Sequence, residues 1–377
     1  MSTTTMTSAN SSTVKKWEKK TWLEAYQQSY VGMFAESDVI YDASKDFRGD
    51  NGRGDNVTFD YVGKLINNPL GEGSTAFGNE EALDINSHNM SINLTRIPVS
   101  NPNNSSIEQQ RTNIQFDEVT ANLLAGRALE LMDTSLFTQL GGYDATSFTF
   151  NGTSYTTTAE KLQVQGHNAP TAPTTNRIIR AGAAATDQAL TATDTFSMDL
   201  IDFAIEQIEA NDQPIEPCAD GYYKLLLHPY QVTDLKQDSS GKIQWYQNEL
   251  AYAAGGKDTN LSFKYNKGPI EVGQYENVKI YRAPRVVFGQ NSSNSANITT
   301  VRRAVMVGKD ALSYASPFGG IAKSDTDVPF KLFVQLSDYD YIKGMDLRCI
   351  YGLKKMSPSN KEDIGSFVIS TYAASHS

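Results

Sequence analysis

The sequence predicts an α+β fold with one long helix, an extended two-stranded ribbon and a C-terminal half rich in strands. Apolar side chains recur at helical spacing over residues 116–140, about 25 residues and well above the length of an ordinary helix. Residues 57–62 and 90–97 alternate between apolar and polar side chains with the period of a strand. Short apolar segments separated by glycine turns follow residue 222. These observations place the chain in the α+β class.

The size and charge of the chain limit its architecture and its partners. At 377 residues it exceeds the roughly 250–300 residues at which a single hydrophobic core stops growing. We therefore expect two packed regions with appendages. The net charge of −10 argues against attraction of nucleic acid over the whole surface, because phosphate binding needs clustered lysine and arginine. A local basic patch remains compatible with this charge.

The cysteines and the N-terminus indicate the compartment. Cys218 and Cys349 are far apart and match neither a disulfide framework nor the spacing of a zinc site, so we expect two reduced thiols. The first 14 residues contain no apolar core of a signal peptide, and no run approaches the ~18 apolar residues needed to cross a bilayer. We expect the protein to be made in a cytoplasm and to remain there, without a membrane partner.

The N-terminal segment combines a polar tail with an amphipathic helix. Residues 1–13 are too rich in serine and threonine to offset the entropy of ordering. After Val14, aromatic residues recur every three to five positions and form a stripe: Trp17, Trp22, Tyr26 and Tyr30. Four lysines accompany them: Lys15, Lys16, Lys19 and Lys20. The stripe predicts docking, either onto the body of the same chain or onto a neighbouring subunit, and the sequence does not choose between the two.

The two alternating segments predict a ribbon that the chain cannot bury by itself. They are separated by a polar tip that contains Gly71-Glu72-Gly73 and Gly78-Asn79-Glu80-Glu81. An isolated two-stranded arm is marginal in water, so a neighbouring subunit would have to cover it. The candidate contact residues lie in both strands of the ribbon: Phe59, Tyr61, Ile92 and Leu94.

The long helix and the segments after it complete the predicted elements. Asp117 and Glu118 lie in the first turn, where they complement the helix dipole, and Gly141-Gly142 ends the helix. Residues 143–195 are rich in threonine, alanine, asparagine and glycine and predict an inserted or mobile surface lobe. Ser197 is expected to cap a second amphipathic helix, and His228-Pro229 to open a third after a buried strand.

A search for catalytic chemistry is negative, so we predict no catalytic residue, metal or cofactor. The four histidines are scattered without metal spacing, and no phosphate-binding loop or nucleophile elbow is present. Glu80 and Glu81 are adjacent on an extended chain and point to opposite faces, so they are expected to be solvated loop charges. Arg53-Gly54-Asp55 has the composition of a turn that leads into the first ribbon strand.

Three blocks of the sequence resemble tailed-phage major capsid proteins of the Hong Kong 97 (HK97)-like fold, in the podovirus branch of the Enterobacteria phage N-four type. The first runs from Gly54-Asp55-Asn56-Val57-Thr58-Phe59 to Gly78-Asn79-Glu80-Glu81-Ala82-Leu83. The second contains Glu108-Gln109-Gln110-Arg111-Thr112 and Leu136-Phe137-Thr138-Gln139-Leu140-Gly141-Gly142. The third contains Tyr223-Lys224-Leu225-Leu226-Leu227-His228-Pro229-Tyr230-Gln231-Val232-Thr233-Asp234-Leu235 and Ile280-Tyr281-Arg282-Ala283-Pro284. Residues 143–195 match nothing in the resemblance.

The resemblance implies a fold divided into an arm, an extended loop, a peripheral domain and an axial domain. By residue number the expected parts are an N-terminal arm (1–40), an extended-loop ribbon (41–110), a peripheral domain with the long spine helix (111–142, 196–214 and 322–377), the inserted lobe (143–195) and an axial domain (215–321).

The resemblance also implies a function. Subunits would self-assemble into hexamers and pentamers of an icosahedral shell around double-stranded DNA, with scaffolding and portal proteins as further partners, in the cytoplasm of a host bacterium. We expect the four arm lysines to make weak, non-specific contact with the packaged DNA.

Two alternatives to a phage shell remain open at the level of the sequence. The strands rich in threonine and asparagine are also compatible with a surface adhesive or carbohydrate-binding β protein, although the long helix and the missing secretion signal argue against it. An encapsulin-like nanocompartment shell would share the fold, and neighbouring genes would separate it from a phage capsid.

Overall fold

A computed structural model describes most of the chain between Ser29 and His376. The described residues are 29–44, 54–63, 65, 67–102, 107, 111, 116–238, 270–317, 330–337, 342–359 and 361–376. Seven of the predicted contact residues lie outside these ranges: Lys15, Lys16, Trp17, Lys19, Lys20, Trp22 and Tyr26.

Within the described residues the chain forms helices and strands in a mixed order. The helices are α1 (Tyr30–Glu36), α2 (Phe116–Gly141), α3 (Thr158–Val164), α4 (Met198–Glu209) and α5 (Pro229–Gln237). The strands are β1 (Ile40–Asp42), β2 (Asn56–Val62), β3 (Ile85–Ser91), β4 (Asn93–Pro102), β5 (Phe148–Phe150), β6 (Thr153–Tyr155), β7 (Ile178–Arg180), β8 (Tyr223–Leu227), β9 (Ile270–Tyr275), β10 (Val278–Arg282), β11 (Phe288–Gln290), β12 (Asn297–Val307), β13 (Leu312–Ala315), β14 (Phe330–Ser337), β15 (Ile342–Lys355) and β16 (Ser366–Tyr372).

The long helix α2 confirms the prediction from the apolar spacing. Its 26 residues span about 39 Å at 1.5 Å per residue. Asp117 in its first turn forms an ion pair with Lys343 of β15, at 2.6 Å between Nζ and Oδ2. Gly142 follows the helix with φ of 61°, a left-handed conformation that ends the helix. A side chain at that position would also collide with Pro173, whose Cδ would lie 2.6 Å from an added Cβ.

A five-stranded sheet packs against α2. Its central strand β15 pairs in antiparallel register with β4, β14 and β13, and β1 extends the sheet in parallel beside β13. Alternate β15 side chains, Met345, Leu347, Cys349 and Tyr351, are buried in the same core as α2. The period-two alternation of the strand therefore puts its other side chains on the opposite face.

A seven-stranded sheet forms the second body, in the order β7-β16-β12-β8-β10-β9 with β11 beside β12. All five residues of β8 are buried, because both faces of the sheet are covered. Leu226 belongs to the core that contains α2, whereas Leu225 and Leu227 belong to a second core with residues of α4 and α5. The described residues thus contain two large cores, the first of which includes side chains from both sheets.

The sheets divide the chain differently from the predicted domain ranges. β16 was expected in the peripheral domain with residues 322–377, but it pairs with β12 over seven residues inside the seven-stranded sheet. Helix α4, also expected in the peripheral domain, packs in the core of that same sheet. The reason is topological. The chain forms β15 in the five-stranded sheet and then enters the seven-stranded sheet with β16. Pairing between strands so far apart in the sequence leaves no local pattern.

Residues 143–195 are not a surface lobe. Tyr143, Phe148 and Val164 are buried in the core that contains α2, and Ala181 and Leu190 are buried in the other core. β7 of this segment is an edge strand of the seven-stranded sheet, parallel to β16. The polar composition misled the prediction because the segment consists of short elements joined by turns.

The ribbon exists, but its return strand is not the predicted one. β2 pairs antiparallel with β3, from Asn56 opposite Ser91 to Val62 opposite Ile85. The alternating residues 90–97 are divided at Ile92, and β4 leaves the ribbon to pair with β15. Alternation fixes which side chains share a face but not which strand is the partner, so two strands in succession looked like one.

Candidate assembly surfaces

The base of the ribbon is fixed to the five-stranded sheet by a small apolar cluster. Met90 and Ile92 are buried there together with Ala43 and Ala315. The ring of Phe59 stacks on His88, its cross-strand neighbour, at 6.0 Å between centroids. The ring of Tyr41 meets Phe59 edge-on at 5.5 Å. The ribbon therefore leaves the body from a packed base.

His88 ties the ribbon base to two other segments of the chain. Its Nε2 lies 3.2 Å from Oγ of Ser313, and its Nδ1 lies 3.2 Å from the carbonyl oxygen of Ser357. Burial lowers the pKa of His88 to about 4, against the opposing effect of the Ser357 contact. The imidazole is therefore neutral at pH 7 and acts as a structural bridge.

Residues 354–359 and 361, which we call the strap, hold β3 from the C-terminal end of β15. Nζ of Lys354 donates to the Asn89 carbonyl oxygen at 2.6 Å, and the amide of Ser359 donates to the Ser87 carbonyl oxygen at 3.2 Å. Lys361 forms an ion pair of 2.5 Å with Asp84 at the end of β3 nearest the tip. These contacts along one strand fix the direction in which the ribbon points.

The described residues of the segment that joins β2 to β3, 65 and 67–84, form an exposed tip. Several large apolar side chains of this one segment are exposed: Leu65 at 66%, Leu70 at 48%, Phe77 at 93% and Leu83 at 63%. Glu81 accepts a hydrogen bond from the Asn67 amide at 3.0 Å, and Glu80 accepts one from the Gly78 amide at 2.7 Å. Glu80 is thus an exposed loop charge and Glu81 a half-buried one, and both organise the backbone of the tip.

The outer face of the five-stranded sheet is a second exposed surface. We define the sheet face by six residues of β4, β14 and β15: Leu94, Arg96, Lys331, Phe333, Asp346 and Arg348. Oδ2 of Asp346 accepts hydrogen bonds from Arg96, at 2.7 Å, and from Arg348, at 2.6 Å. The guanidinium of Arg348 also lies 4.2 Å from the centre of the Phe333 ring.

The charges of the sheet face are strongly coupled. Burial alone would raise the pKa of Asp346, but the hydrogen bonds from Arg348 and Arg96 outweigh it and keep that pKa below its usual value. One carboxylate oxygen therefore accepts hydrogen bonds from two guanidinium groups, and the three side chains keep a net charge of about +1. The sequence analysis missed this cluster, because Arg96 and Asp346 are separated by 250 positions and only the register of β4 with β15 joins them.

The predicted contact residues fall into different environments. Tyr30 is docked on its own subunit: its hydroxyl donates to the Arg282 carbonyl oxygen at 2.6 Å, and its ring meets Phe137 edge-on at 5.1 Å. Ile92 is buried in the ribbon base, and Phe59 and Tyr61 are partly buried on one ribbon face. Leu94, at 41% exposure, remains open on the sheet face.

Two sets of buried ionisable groups form ion pairs. Lys355 and Asp363 are fully buried and 2.7 Å apart, and Arg303 pairs with Asp187 at the same distance. Burial raises the pKa of the Cys218 thiol to about 11, so this thiol is protonated at pH 7. Across the described ranges no group of three or more histidine, cysteine or acidic side chains could hold a metal ion. In the same ranges, every helix is too short or too polar to cross a membrane.

Comparison with known proteins identifies the family of this chain. The model of the phage capsid protein family matches residues 5–375. The chain belongs to the phage capsid protein family. No curated protein sequence matches it.

Solved structures confirm the fold. The capsid of Ralstonia phage GP4 superposes with a TM-score of 0.69 at 21% identity, covering 93% of this chain and 92% of that one. The capsid of cyanophage Pam1 gives a TM-score of 0.59 at 17% identity, with 86% of each chain covered. The capsid of Helicobacter pylori bacteriophage KHP30 gives 0.56 at 14% identity, covering 89% of this chain and 88% of that one.

These matches confirm three expectations from the sequence. The fold is HK97-like, and the subunit is a structural protein, a phage major capsid protein that forms a shell. Its place is the virion capsid. The family match decides against the adhesive or carbohydrate-binding alternative.

Proposed function

We propose that the subunit builds an icosahedral shell of hexamers and pentamers around the double-stranded DNA of a tailed phage. The observation that carries this proposal is the contrast between the fixed base of the ribbon and its exposed tip. His88 and the strap hold the base, while Phe77 at the tip is 93% exposed. Ordering an apolar tip without covering it is unfavourable, so a second copy of the chain is the natural cover.

The two large sheets support a division of the subunit into a peripheral domain and an axial domain. The five-stranded sheet with α2 would serve as the peripheral domain, which carries the ribbon at its edge. The seven-stranded sheet with α4 and α5 would serve as the axial domain, now including β7 and β16. In this division residues 143–195 belong to the body of the subunit.

Further partners follow from the sequence. We propose that scaffolding and portal proteins guide assembly in the cytoplasm of the host bacterium. Trp17, Trp22 and Tyr26 would contact a neighbouring subunit or the body of the same chain, and the four arm lysines would touch packaged DNA weakly. The net charge of −10 supports weak contact, because a shell that repels DNA as a whole does not hold its cargo tightly.

Self-assembly is tested with the purified chain, produced alone and together with the scaffolding protein of its phage. Negative-stain electron microscopy and light scattering should show closed shells or rings of five or six for the native chain. The Phe77→Ser variant should remain folded by circular dichroism but should assemble poorly, because it lacks the apolar tip contact. The matched control is Phe203→Ser, which changes a phenylalanine of α4 that is 53% exposed. A native chain that stays monomeric even with the scaffolding protein would contradict the proposal.

Cargo distinguishes a phage shell from a nanocompartment. Particles assembled in infected cells should contain double-stranded DNA that is protected from nuclease. Particles that instead enclose a protein cargo and no DNA would support the encapsulin-like alternative.

A further inference from the structure

One face of α2 is covered over its C-terminal half and open over its N-terminal half. We call this face the α2 stripe; its members follow one another at steps of four and three residues, which keeps them on one side of a helix. They are Val119, Leu123, Gly126, Glu130, Asp133 and Phe137. Phe137 is 1% exposed and Asp133 is 7% exposed, whereas Val119 is 41% exposed and Leu123 is 68% exposed.

Helix α1 covers the C-terminal half of the α2 stripe. The ring of Tyr30 meets Phe137 edge-on at 5.1 Å, and Asp133 accepts a hydrogen bond from the Val31 amide at 3.2 Å. Both contacts come from the first two residues of α1. The polypeptide that precedes α1 therefore joins it at the boundary between the covered half and the open half.

The open half has the composition of a contact surface. Val119 and Leu123 are large apolar side chains one helical turn apart, and Gly126 follows them on the same face. Glycine in the interior of a helix is unfavourable relative to alanine. A Cβ added at Gly126 would meet no atom within 4 Å among the described residues, so no contact there requires a glycine. Glycine does, however, allow another element to approach the helix backbone closely.

The residues just before α1 have the matching composition and the necessary reach. Trp17, Trp22 and Tyr26 belong to the same aromatic series as Tyr30, which already lies on the α2 stripe. Leu123 lies ten positions before Asp133, about 15 Å at 1.5 Å per residue. Trp22 lies nine positions before Val31, a separation of about 14 Å as a helix and more when extended. Trp22 can therefore reach Leu123 of its own subunit.

The backbone at Ser29 separates the direction of the arm from that of α1. Ser29 is extended, with φ of −101° and ψ of 157°, and its side chain accepts a hydrogen bond from the Gly32 amide at 3.1 Å. Because Ser29 caps α1, the preceding residues do not continue the axis of α1. Only residues 27–29 separate Tyr26 from Tyr30. A tether this short gives an effective concentration on the order of millimolar, which favours the subunit's own α2 over that of a second copy.

We propose that Trp17, Trp22 and Tyr26 cover the open half of the α2 stripe of their own subunit, with Trp22 against Leu123 and Gly126. This inference rests on the proposed function, in which the arm is a contact segment, and it selects both the surface and the copy. In this arrangement the arm and α1 together cover one face of α2 along its whole length.

Hydrogen exchange of the unassembled subunit provides the first test. The arm variant carries Trp17→Ser, Trp22→Ser and Tyr26→Ser in the full chain, and the matched control carries Gln27→Ser and Gln28→Ser. The chains are diluted below the concentration at which shells form, and circular dichroism checks folding. Amides of residues 119–126 should exchange about tenfold faster or more in the arm variant than in the native chain. The control should exchange like the native chain.

Urea unfolding provides a second test, directed at Leu123 itself. On an open helix face alanine is at least as favourable as leucine, so Leu123→Ala is unfavourable only if another element covers that side chain. The midpoint of unfolding should therefore fall on Leu123→Ala in the native chain and stay the same or rise in the arm variant. Ile270→Ala, at a 40% exposed position of β9, is the control and should shift the midpoint equally in both chains.

Three outcomes would overturn the inference. Residues 119–126 that exchange equally fast in the native chain and in the arm variant would show that the arm does not cover them. Protection that increases with protein concentration would assign the open half to a second copy. Protection that appears only after addition of the scaffolding protein would assign it to that protein. Because all readings use the unassembled subunit, any of these outcomes leaves the shell proposal standing, and a native chain that never forms shells contradicts the proposed function without changing the readings.

Discussion

Arg303 and Asp187 form a buried ion pair that joins the end of the long helix to the seven-stranded sheet. Nε of Arg303 lies 2.7 Å from Oδ2 of Asp187, and Nη1 of Arg303 donates to the carbonyl oxygen of Gly141 at 3.1 Å. Oδ1 of Asp187 pairs with Nε of Arg180 at 2.8 Å. Burial alone would raise the pKa of Asp187. The attraction of Arg303 and the hydrogen bonds donated to the Asp187 carboxylate keep that pKa below its usual value. The Asp187 carboxylate thus binds Arg180 of β7 and Arg303 of β12, and Arg303 in turn binds the end of α2.

Replacement of Asp187 by alanine should destabilise the subunit strongly. It leaves the buried guanidinium of Arg303 without its partner, and breaking a buried pair in this way costs about 3–5 kcal/mol. The free energy of unfolding, measured with urea, should fall by that amount. Glu216→Ala, which removes an exposed ion pair with Lys309, is the control and should lower the free energy of unfolding far less. Equal losses in the two variants would refute this role of the buried pair.

Removal of residues 144–195 should prevent folding, contrary to the expectation for a surface lobe. The deletion takes away Val164 of one core, Ala181 and Leu190 of the other, and strand β7 of the seven-stranded sheet. Soluble expression and circular dichroism measure the outcome. Insertion of a short glycine-serine segment between Asn151 and Gly152, in the exposed turn of the β5–β6 hairpin, is the control and should be tolerated. A soluble, folded deletion variant would show that the segment is dispensable.

The docking of α1 on α2 should weaken as the pH rises through neutrality. Asp133 of α2 accepts a hydrogen bond from the Val31 amide at 3.2 Å, and burial raises the pKa of this carboxyl to about 7. Glu130 adds to that rise, while the Val31 bond and Arg285 oppose it. A folded-state pKa above the unfolded value means that the folded subunit binds the proton more tightly, so this group destabilises the fold above pH 7 and the penalty disappears as pH falls towards 4.

Asp133→Asn should therefore be more stable than the native chain at pH 8, and this advantage should be much smaller at pH 5. Asparagine keeps an oxygen for the Val31 amide and removes the buried charge. Urea unfolding of both chains at the two pH values gives the comparison, and taking the difference between chains cancels the titration of all other groups. A difference that does not change with pH would contradict the raised pKa of Asp133.

His88 should control the rigidity of the ribbon. The His88→Ala variant loses contacts with Ser313 and Ser357 and the stacking on Phe59, which should cost about 1–3 kcal/mol locally. Hydrogen exchange should speed up in β2 and β3 and stay unchanged in α2. Asn89→Ala, an exposed neighbour in β3, is the control. Unchanged exchange in the ribbon of the His88 variant would show that the strap alone fixes it.

Acid should also loosen the base of the ribbon, where His88 lies. Because the pKa of His88 falls to about 4 in the folded subunit, the unfolded chain binds the proton first as pH drops below about 6.5. Stability contributed by the neutral imidazole is therefore complete above pH 6.5 and is lost as pH falls through 4. Ribbon exchange measured at pH 7 and pH 5, corrected for the intrinsic rate, should rise in the native chain and change little in a His88→Gln variant. The opposite order would rule out this titration.

The sequence by itself determined the elements that local physics specifies. The apolar spacing of residues 116–140 defined α2 to within one residue, because helical periodicity needs only near neighbours. Alternation showed that a ribbon exists after Gly54. Resemblance of three sequence blocks then supplied the family, which the match over residues 5–375 confirms.

Only the tertiary structure decided which strands meet. β4 pairs with β15 about 250 positions away and thereby creates the sheet face. There Arg96 and Arg348 donate to the same carboxylate oxygen of Asp346. The same kind of pairing moved β16 into the seven-stranded sheet and residues 143–195 into both cores. A period of two in a sequence states which side chains share a face, but the partner strand is chosen by the global packing of apolar surface, which no local window contains.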